Sequence, residues 1–346
     1  MNVSEYLKYL PETIKRPVRS SLLYNFSHRL HVRREFLKKN SMVLPYSLTI
    51  ELTNRCNLKC TMCPHSKKDI KGKDMDFNIF KKIVDEIAQF GDKNSCFIPV
   101  GLGEPLMYAQ LPEALEYITI KCPGSPINLT TNGTLLNEEN AKMLCKLLGG
   151  SDRLLISLNA GSESVYKSLM GKDKFDLVVN NIKDFLKIRE KIGTGPKVTI
   201  QLLEVKKTES EVEKFKNFWT PLIGKNDLIY VRPLLNWGGT VDIKDLQVRE
   251  KGKRYPCPGL WTGGVIILND GNVYPCCEAQ STRENSDILL GNVQEKSLKE
   301  IYSEKRIKDI QKKHLKGQWN EISDCINCDF WSFNENIWFK IGNRWF

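Results

Sequence analysis

The stretch Leu48-Thr-Ile-Glu-Leu52-Thr-Asn-Arg-Cys56-Asn-Leu-Lys-Cys60-Thr-Met-Cys63 decides the reading of this chain. Its first five residues alternate, placing Leu48, Ile50 and Leu52 on one face of a short strand. Three cysteines follow, separated by three and then two intervening residues. Three thiolates on one tight loop can hold three irons of a [4Fe–4S] cube. A cluster that only carries electrons has four cysteines, so the missing fourth leaves one iron for another ligand. The plain alternative is a zinc knuckle or a structural cluster. Zinc pairs return as a second pair of similar spacing, and a lone triplet does not.

Outward from that loop, strand and helix signals alternate six times. Strands are expected at Leu48 to Leu52, Phe97 to Leu102, Ile127 to Thr131, Leu154 to Leu158, Val198 to Val205 and Leu228 to Leu234. A helix from Asp76 to Phe90 would carry Phe77, Phe80, Val84 and Ile87 on one stripe, with Asp76 as its cap. Another follows through Leu111, Leu115 and Ile118, and Asn137 opens a third. Helical sequence runs to about Ile192, and Thr208 with Glu211 has capping-box spacing for the next helix. Alternating β and α units imply a parallel α/β sheet with helices outside. Periodicity leaves a doubly wound sheet and an incomplete barrel equally open.

Residues 1–46 are basic and helical where patterned, with Tyr6, Leu7, Leu10 and Ile14 near one face and Leu22, Leu23, Phe26 and Leu30 resuming beyond Pro17. We expect a helical extension packed on the barrel, in preference to a helix lying on a membrane surface. The chain divides into this extension, a core over 47–240, and a C-terminal part over 241–346. A turn-rich stretch at Asn236 to Gly239 and a basic linker, Lys244 to Arg254, separate the last two.

The 346 residues are 41% hydrophobic and 27% charged, the composition of an ordinary globular protein. The longest apolar runs, such as Val265 to Leu268, fall far short of the roughly 20 residues that span a bilayer. No signal-peptide pattern opens the chain, so a cytoplasmic location is expected. Eleven cysteines in that compartment are not disulfides. Cys96, Cys122 and Cys145 sit among apolar residues and read as small buried hydrophobes. The net charge of +11 is scattered over helix faces and reads as solvated surface, with no nucleic-acid module in sight.

The cysteine triplet, placed directly after strand one, strongly resembles the radical S-adenosylmethionine (radical SAM) enzymes. Further segments carry the resemblance in the family's order. Strand two ends in Gly101-Leu-Gly103-Glu104-Pro105, similar to the family's "GGEP" segment. Strands three and four end in Thr130-Thr-Asn132-Gly133 and Ser157-Leu-Asn159-Ala-Gly161. The resemblance implies a partial (β/α)6, TIM-like barrel, with its site at the C-terminal ends of the strands. It implies that Cys56, Cys60 and Cys63 hold a [4Fe–4S] cluster whose open iron is chelated by SAM. Electron transfer then cleaves SAM to a 5′-deoxyadenosyl radical that abstracts hydrogen from a substrate. Gly103 and Glu104 would meet the methionyl amine, Asn132 and Ser157 would line the ribose and carboxylate, and Met62 would stand where an aromatic residue often meets the adenine. Family members often have Asp where Asn159 stands. Gln201 and Arg232, polar residues in strands five and six, are further candidates for SAM or substrate contact.

A second set of cysteines, Cys257, Cys276, Cys325 and Cys328, brackets Asp270-Gly-Asn-Val-Tyr-Pro-Cys276-Cys277. Asp-Gly marks a tight hairpin that can fold Cys276 back toward Cys257. This resembles the start of a SPASM domain, over about residues 255–335. A full SPASM domain continues with further cysteines, and none follows Cys328. The shortened "Twitch" form, with one auxiliary [4Fe–4S] cluster, is therefore implied. The glycine spacing favours Cys276 over Cys277. Four thiolates also suit zinc.

A fully ligated auxiliary cluster has no open iron, so its simplest task is to accept an electron. The expectation is net oxidation or rearrangement of a small polar molecule such as a sugar or aminocyclitol. The family also implies an external electron donor such as flavodoxin or ferredoxin. The alternatives are a peptide-modifying maturase and, from another class, a non-catalytic zinc- or cluster-binding interaction protein.

Overall fold

Six parallel strands follow one another in space as they do in sequence. The computed structural model describes residues 22–67, 70–248, 252–281, 286–333, 336–342 and 344–345. The strands are β1 (Ser47–Ile50), β2 (Cys96–Ile98), β3 (Asn128–Thr131), β4 (Arg153–Ser157), β5 (Lys197–Glu204) and β6 (Leu228–Pro233). β1 pairs with β2, and β3, β4, β5 and β6 pair in turn, all in parallel. A parallel bridge between Phe97 and Ile127 joins β2 to β3. A doubly wound sheet reverses its strand order at a switch point; here the order never reverses. An unreversed parallel sheet with its helices outside is a barrel. Among the described residues β6 does not pair with β1, so the barrel is partial.

Helices alternate with the strands because each lays one apolar stripe on the sheet. α1 (Leu22–Asn40) precedes β1 and is followed by α2 (Phe77–Phe90), α3 (Leu111–Lys121), α4 (Glu138–Leu147), α5 (Glu163–Met170), α6 (Phe175–Ile192) and α7 (Val212–Trp219). Asp76 caps α2 by accepting from Asn78 N–H at 2.7 Å, and Phe80, Ile83, Val84 and Ile87 are buried. Asn137 caps α4 through Asn140 N–H at 2.9 Å. The capping box expected of Thr208 and Glu211 does not form. Thr208 is fully buried and its hydroxyl donates to Leu203 O at 2.6 Å, closing the end of β5. Glu211 instead accepts from Gly161 N–H at 2.8 Å and from the Ser162 hydroxyl, pinning the β4–α5 turn. Thr208 is held by its own strand end and Glu211 by a distant turn, so neither serves the cap.

The C-terminal part builds directly onto the barrel. β7 (Gly264–Ile267) takes the free edge of β1 in parallel, Ser47 opposite Gly264 through Ile50 opposite Ile267. The Asp270-Gly271 turn, with Gly271 at φ +84°, returns the chain antiparallel as β8 (Asn272–Tyr274), and β9 (Gly291–Asn292) pairs with β8. Ile266, Ile267 and Leu268 are completely buried, which accounts for the apolar run at this point. Two helices follow, α8 (Leu298–Ser303) and α9 (Lys305–Leu315), the first opened by a capping box of Ser297 and Glu300.

α1 packs against the core through Val32 and Phe36. The stripe from Tyr6 to Ile14 and the side chains of Leu22, Leu23 and Phe26 lie outside the described residues. Leu30, expected on the packed face, is 43% exposed. The guanidinium of Arg29 sits over the Phe339 ring and that of Arg33 over Trp338, at 5.4 and 5.7 Å from the ring centroids. The helix thus also rests on the C-terminal segment, because the aromatic residues that receive its cations are there. No helix among the described residues is long and apolar enough to cross a membrane.

Candidate active site and metal centres

The cysteine loop leaves β1 at the C-terminal end of the strand and is held on three sides. Arg55, just before Cys56, pairs with Asp74 at 2.7 Å and donates to Met107 O at 2.7 Å. Ser66 Oγ donates to the carbonyls of Cys60 and Cys63. The C-terminal turn of α5 lies against the loop: Thr61 N–H donates to Leu169 O at 2.8 Å, and Cys60 Sγ lies 3.8 Å from Met170 Sδ. Gly171 ends α5 at φ +73°, where a Cβ would fall 2.3 Å from Lys59 O. Both its dihedral and the close approach require glycine.

Burial raises the pKa of all three thiols, Cys63 to about 11 and Cys60 further, with the neighbouring sulfurs of Cys63 and Cys56 adding to the rise at Cys60. Three buried sulfurs this close cannot all ionise unless a cation takes up their charge. His65, two residues after Cys63, has its Nε2 within 2.9 Å of Asn54 O. The donor set therefore fits an iron cluster that keeps one iron free of protein ligands.

The ends of β2, β3 and β4 converge beside this loop. A Cβ on Gly103 would fall 2.2 Å from Thr53 O, so glycine here lets the β2–α3 turn press against the cysteine loop. Glu104 N–H donates to Arg55 O at 2.8 Å. The Glu104 side chain is buried and accepts from Thr131 Oγ1 (2.7 Å), Asn132 N–H (2.7 Å) and Leu106 N–H (3.2 Å). Burial pushes its carboxyl up to about 7, against the lowering effect of those three hydrogen bonds. Asn132 reaches the loop directly: its Nδ2 donates to Asn57 Oδ1 at 2.9 Å and lies 4.0 Å from Cys56 Sγ.

Ser157 closes β4 opposite Gln201 and is half-buried. Gln201 donates to Asn159 Oδ1 at 2.9 Å, and Asn159 holds a left-handed φ of +62°. Met62 is buried in the apolar core beside the loop. The structure thus brings Cys56, Cys60, Cys63, Gly103, Glu104 and Asn132 into one network, with Ser157 two strands away from Glu104. Arg232 stands apart, stacked over Phe333 at 5.5 Å.

Two residues in this network escaped the sequence reading. Thr131 bonds Glu104. Glu51 is wholly buried, accepting from Leu102 N–H at 3.1 Å and Asn269 N–H at 3.4 Å. It joins β1, β2 and the end of β7. A carboxylate inside an apolar strand was its only visible signal.

Cys257, Cys276, Cys325 and Cys328 line a single small, enclosed cavity, and Cys277 does not line it. Burial raises the Cys257 and Cys325 thiols to about 12 and Cys328 further, and Cys276 is raised by its neighbour Cys277 and by burial. Arg254, assigned from sequence to a basic linker, is instead in this wall. Its Nη2 donates to Cys325 O at 2.6 Å and its Nη1 to Ile326 O at 3.0 Å. His314 and Glu278 also line the cavity. His314, 1% exposed, is pushed down to about 3 by burial and by Arg254, and burial pushes Glu278 up to about 7. Arg254 Nε, His314 Nε2 and Glu278 Oε2 are buried with no hydrogen-bond partner in the protein. Four thiols and unpartnered donors around one cavity fit a cluster, whose thiolate and sulfide atoms are hydrogen-bond acceptors. Among the described residues no three such side chains converge tightly enough to grip a single ion. Cys122 and Cys145 are buried as expected, while Cys96 is half-buried and receives Asn128 Nδ2 at 3.0 Å.

Comparison with known proteins agrees with this geometry. Residues 50–218 match the family model of the radical SAM superfamily, and residues 257–329 match that of an iron–sulfur cluster-binding domain, SPASM. The chain is 25% identical, over 82% of its length and 88% of the relative's, to a tungsten-containing aldehyde ferredoxin oxidoreductase cofactor-modifying protein of Pyrococcus furiosus. It is 30% identical to a probable GTP 3′,8-cyclase of Methanocella arvoryzae, over 70% of this chain and 80% of that one. Among solved structures, Streptococcus suis SuiB bound to its precursor peptide SuiA shares the fold, with a TM-score of 0.62 at 17% identity, covering 86% of this chain and 74% of SuiB. The chain belongs to the radical SAM superfamily, with a C-terminal SPASM iron–sulfur domain, and its cofactors are SAM and [4Fe–4S] clusters.

Proposed function

We propose that this radical SAM enzyme carries out a net oxidation or rearrangement of a small polar molecule, with one auxiliary cluster as electron acceptor. The observation that carries the reading is the single cavity lined by Cys257, Cys276, Cys325 and Cys328. Four cysteines at one site ligate a cluster fully and leave no iron open to substrate. When bound, SAM and the two clusters supply hydrogen-atom abstraction from the substrate and an acceptor for the electron that the carbon radical then loses with a proton.

The chain's own residues position the cluster and SAM. Cys56, Cys60 and Cys63 hold the first cluster at the mouth of the barrel. Glu104 fixes the ends of β2 and β3 together and offers its remaining acceptor capacity to the N–H of the SAM amino group. Gly103, Asn132, Ser157 and Met62 line the rest of SAM. An external donor of the flavodoxin or ferredoxin kind supplies the reducing electron, and the setting is the cytoplasm. The names of the two relatives point to a cofactor and a nucleotide, both small polar molecules. The peptide bound to SuiB supports the alternative, a peptide substrate.

Iron and acid-labile sulfide per chain after anaerobic reconstitution test the proposal. About eight of each correspond to two cubes. About four of each, with one zinc, would remove the auxiliary electron acceptor and the oxidation with it. Within the same measurement, Cys276→Ala is expected to lose about four irons, whereas Cys277→Ala, outside the cavity wall, retains them. The reverse pattern would move the ligand to Cys277.

A further inference from the structure

The auxiliary cavity has two features that ligation by four cysteines does not use. His314 on α9 turns its Nδ1 to Cys257 N–H, from which it accepts at 3.2 Å. A ring nitrogen that accepts a backbone N–H carries no proton, so in the neutral ring the proton sits on Nε2. That Nε2–H is buried and has no partner. Arg254 spends Nη1 and Nη2 on the carbonyls of Ile326 and Cys325, and its Nε–H is likewise buried and unpartnered. Both residues line the cavity that the four thiols surround. The Glu278 carboxyl lines it too, yet its free oxygen bonds to neither donor. Buried donors are rarely left unpaired in a folded protein, and here two of them share one cavity. Sulfur atoms of a cluster filling it would pair both.

We propose that His314 and Arg254 donate hydrogen bonds to sulfur atoms of the auxiliary cluster and hold its reduction potential high. The proposal rests on the reading of Cys257, Cys276, Cys325 and Cys328 as ligands of that cluster. Reduction adds negative charge to a cluster, and hydrogen bonds to its sulfurs stabilise that charge. The arginine adds a fixed positive charge in a wall that excludes water. A higher potential suits a cluster that takes an electron from a substrate radical. Both residues are positioning residues, since they act on the reaction through the cluster.

The test uses the full chain with Cys56, Cys60 and Cys63 replaced by alanine and reconstituted anaerobically, so that one cluster remains to be titrated. Its midpoint potential is followed by electron paramagnetic resonance. His314→Leu is expected to lower the reduced-to-oxidised ratio at the unsubstituted midpoint about tenfold, which is about 59 mV for one electron. His314→Gln, which keeps a side-chain N–H near the Nε2 position, is expected to recover most of that loss. Arg254→Lys keeps the charge, removes Nε–H, and is expected to shift the potential in the same direction.

An unchanged midpoint in His314→Leu with full iron content overturns the proposal, because His314 would then only orient the Cys257 loop. Should His314→Leu take up no cluster, Arg254→Lys decides, and an unchanged midpoint there overturns it. Zinc, or no metal, in the parent chain would instead show the four-cysteine reading itself to be wrong, and the proposal would fall with it.

Discussion

Cys60→Ala abolishes SAM cleavage and leaves about four of the eight expected irons per chain; this is the largest effect the structure predicts. Cys60 is the middle thiol of the loop, packed against Met170 Sδ at 3.8 Å and flanked by the sulfurs of Cys56 and Cys63. Two remaining thiolates leave two irons of the cube without protein ligands, and the cluster is lost. Alanine preserves the turn, because the hydrogen bonds that shape it run through the Cys60 and Cys63 carbonyls and Thr61 N–H. The auxiliary cavity is built from other elements, Gly238 and residues between 254 and 331, and is expected to keep its iron. The checks are iron content and the yield of 5′-deoxyadenosine under reducing conditions. Cleavage near the unsubstituted rate would remove Cys60 from the cluster.

Glu104→Ala is expected to weaken SAM binding by about one to two orders of magnitude, since hydrogen bonds to a charged group are worth about 1.5–3 kcal/mol. The carboxylate has about four lone-pair sites, and three are taken by Thr131, Asn132 and Leu106. One is left for an N–H of the SAM amino group. The alanine variant loses that site and also frees the ends of β2 and β3 from each other. Glu104→Gln separates the two effects, because it keeps an acceptor oxygen but no charge. Cluster content is expected to survive in Glu104→Gln.

The pH dependence has a definite sign. Burial raises the folded-state pKa of Glu104 from 4.5 to about 7. The native state without SAM therefore holds a proton that the unfolded chain releases between those values. The stability that goes with this proton is fully present below about pH 4.5 and is lost as pH rises through 7. On the proposed role of Glu104, SAM binding favours the ionised carboxylate and expels the proton, so affinity is expected to rise with pH until it levels above 7. Affinity at pH 6 is expected to be about tenfold weaker than at pH 8. The slope is expected to vanish in Glu104→Gln. A titration showing equal affinity at both pH values in the parent chain would mean that the SAM amino group is bound elsewhere.

The legible part of this protein is what short-range spacing controls. Alternating strands and helices followed from hydrophobic period, and Asp76 and Asn137 cap the helices they were expected to cap. The cysteine triplet spans eight residues, Cys56 to Cys63, so its loop brings the thiols together whatever the rest of the fold does. Family resemblance supplied what periodicity left open, the barrel in place of the doubly wound sheet.

Where a residue had a choice of partners, sequence spacing gave the wrong answer. Thr208 and Glu211 have the pattern of a capping box, but β5 and the β4–α5 turn claim them. Arg254 reads as linker charge and lies buried beside four cysteines. In α1 the seating of Arg29 and Arg33 over Phe339 and Trp338 had no sequence signal, though Val32 and Phe36 pack on the core.

By itself, then, the sequence determined the parallel α/β core, the cluster loop at the end of its first strand, and two separate sets of cysteines, because each depends on contacts within a few residues or on one repeating period. Only the tertiary structure decided that β7 completes the edge of β1, that Cys276 and not its neighbour Cys277 enters the cavity, and that Glu51, Arg254 and His314 are buried at the centres. Those outcomes turn on which side chains meet across long stretches of chain, and packing against distant elements, which no local pattern records, settles them.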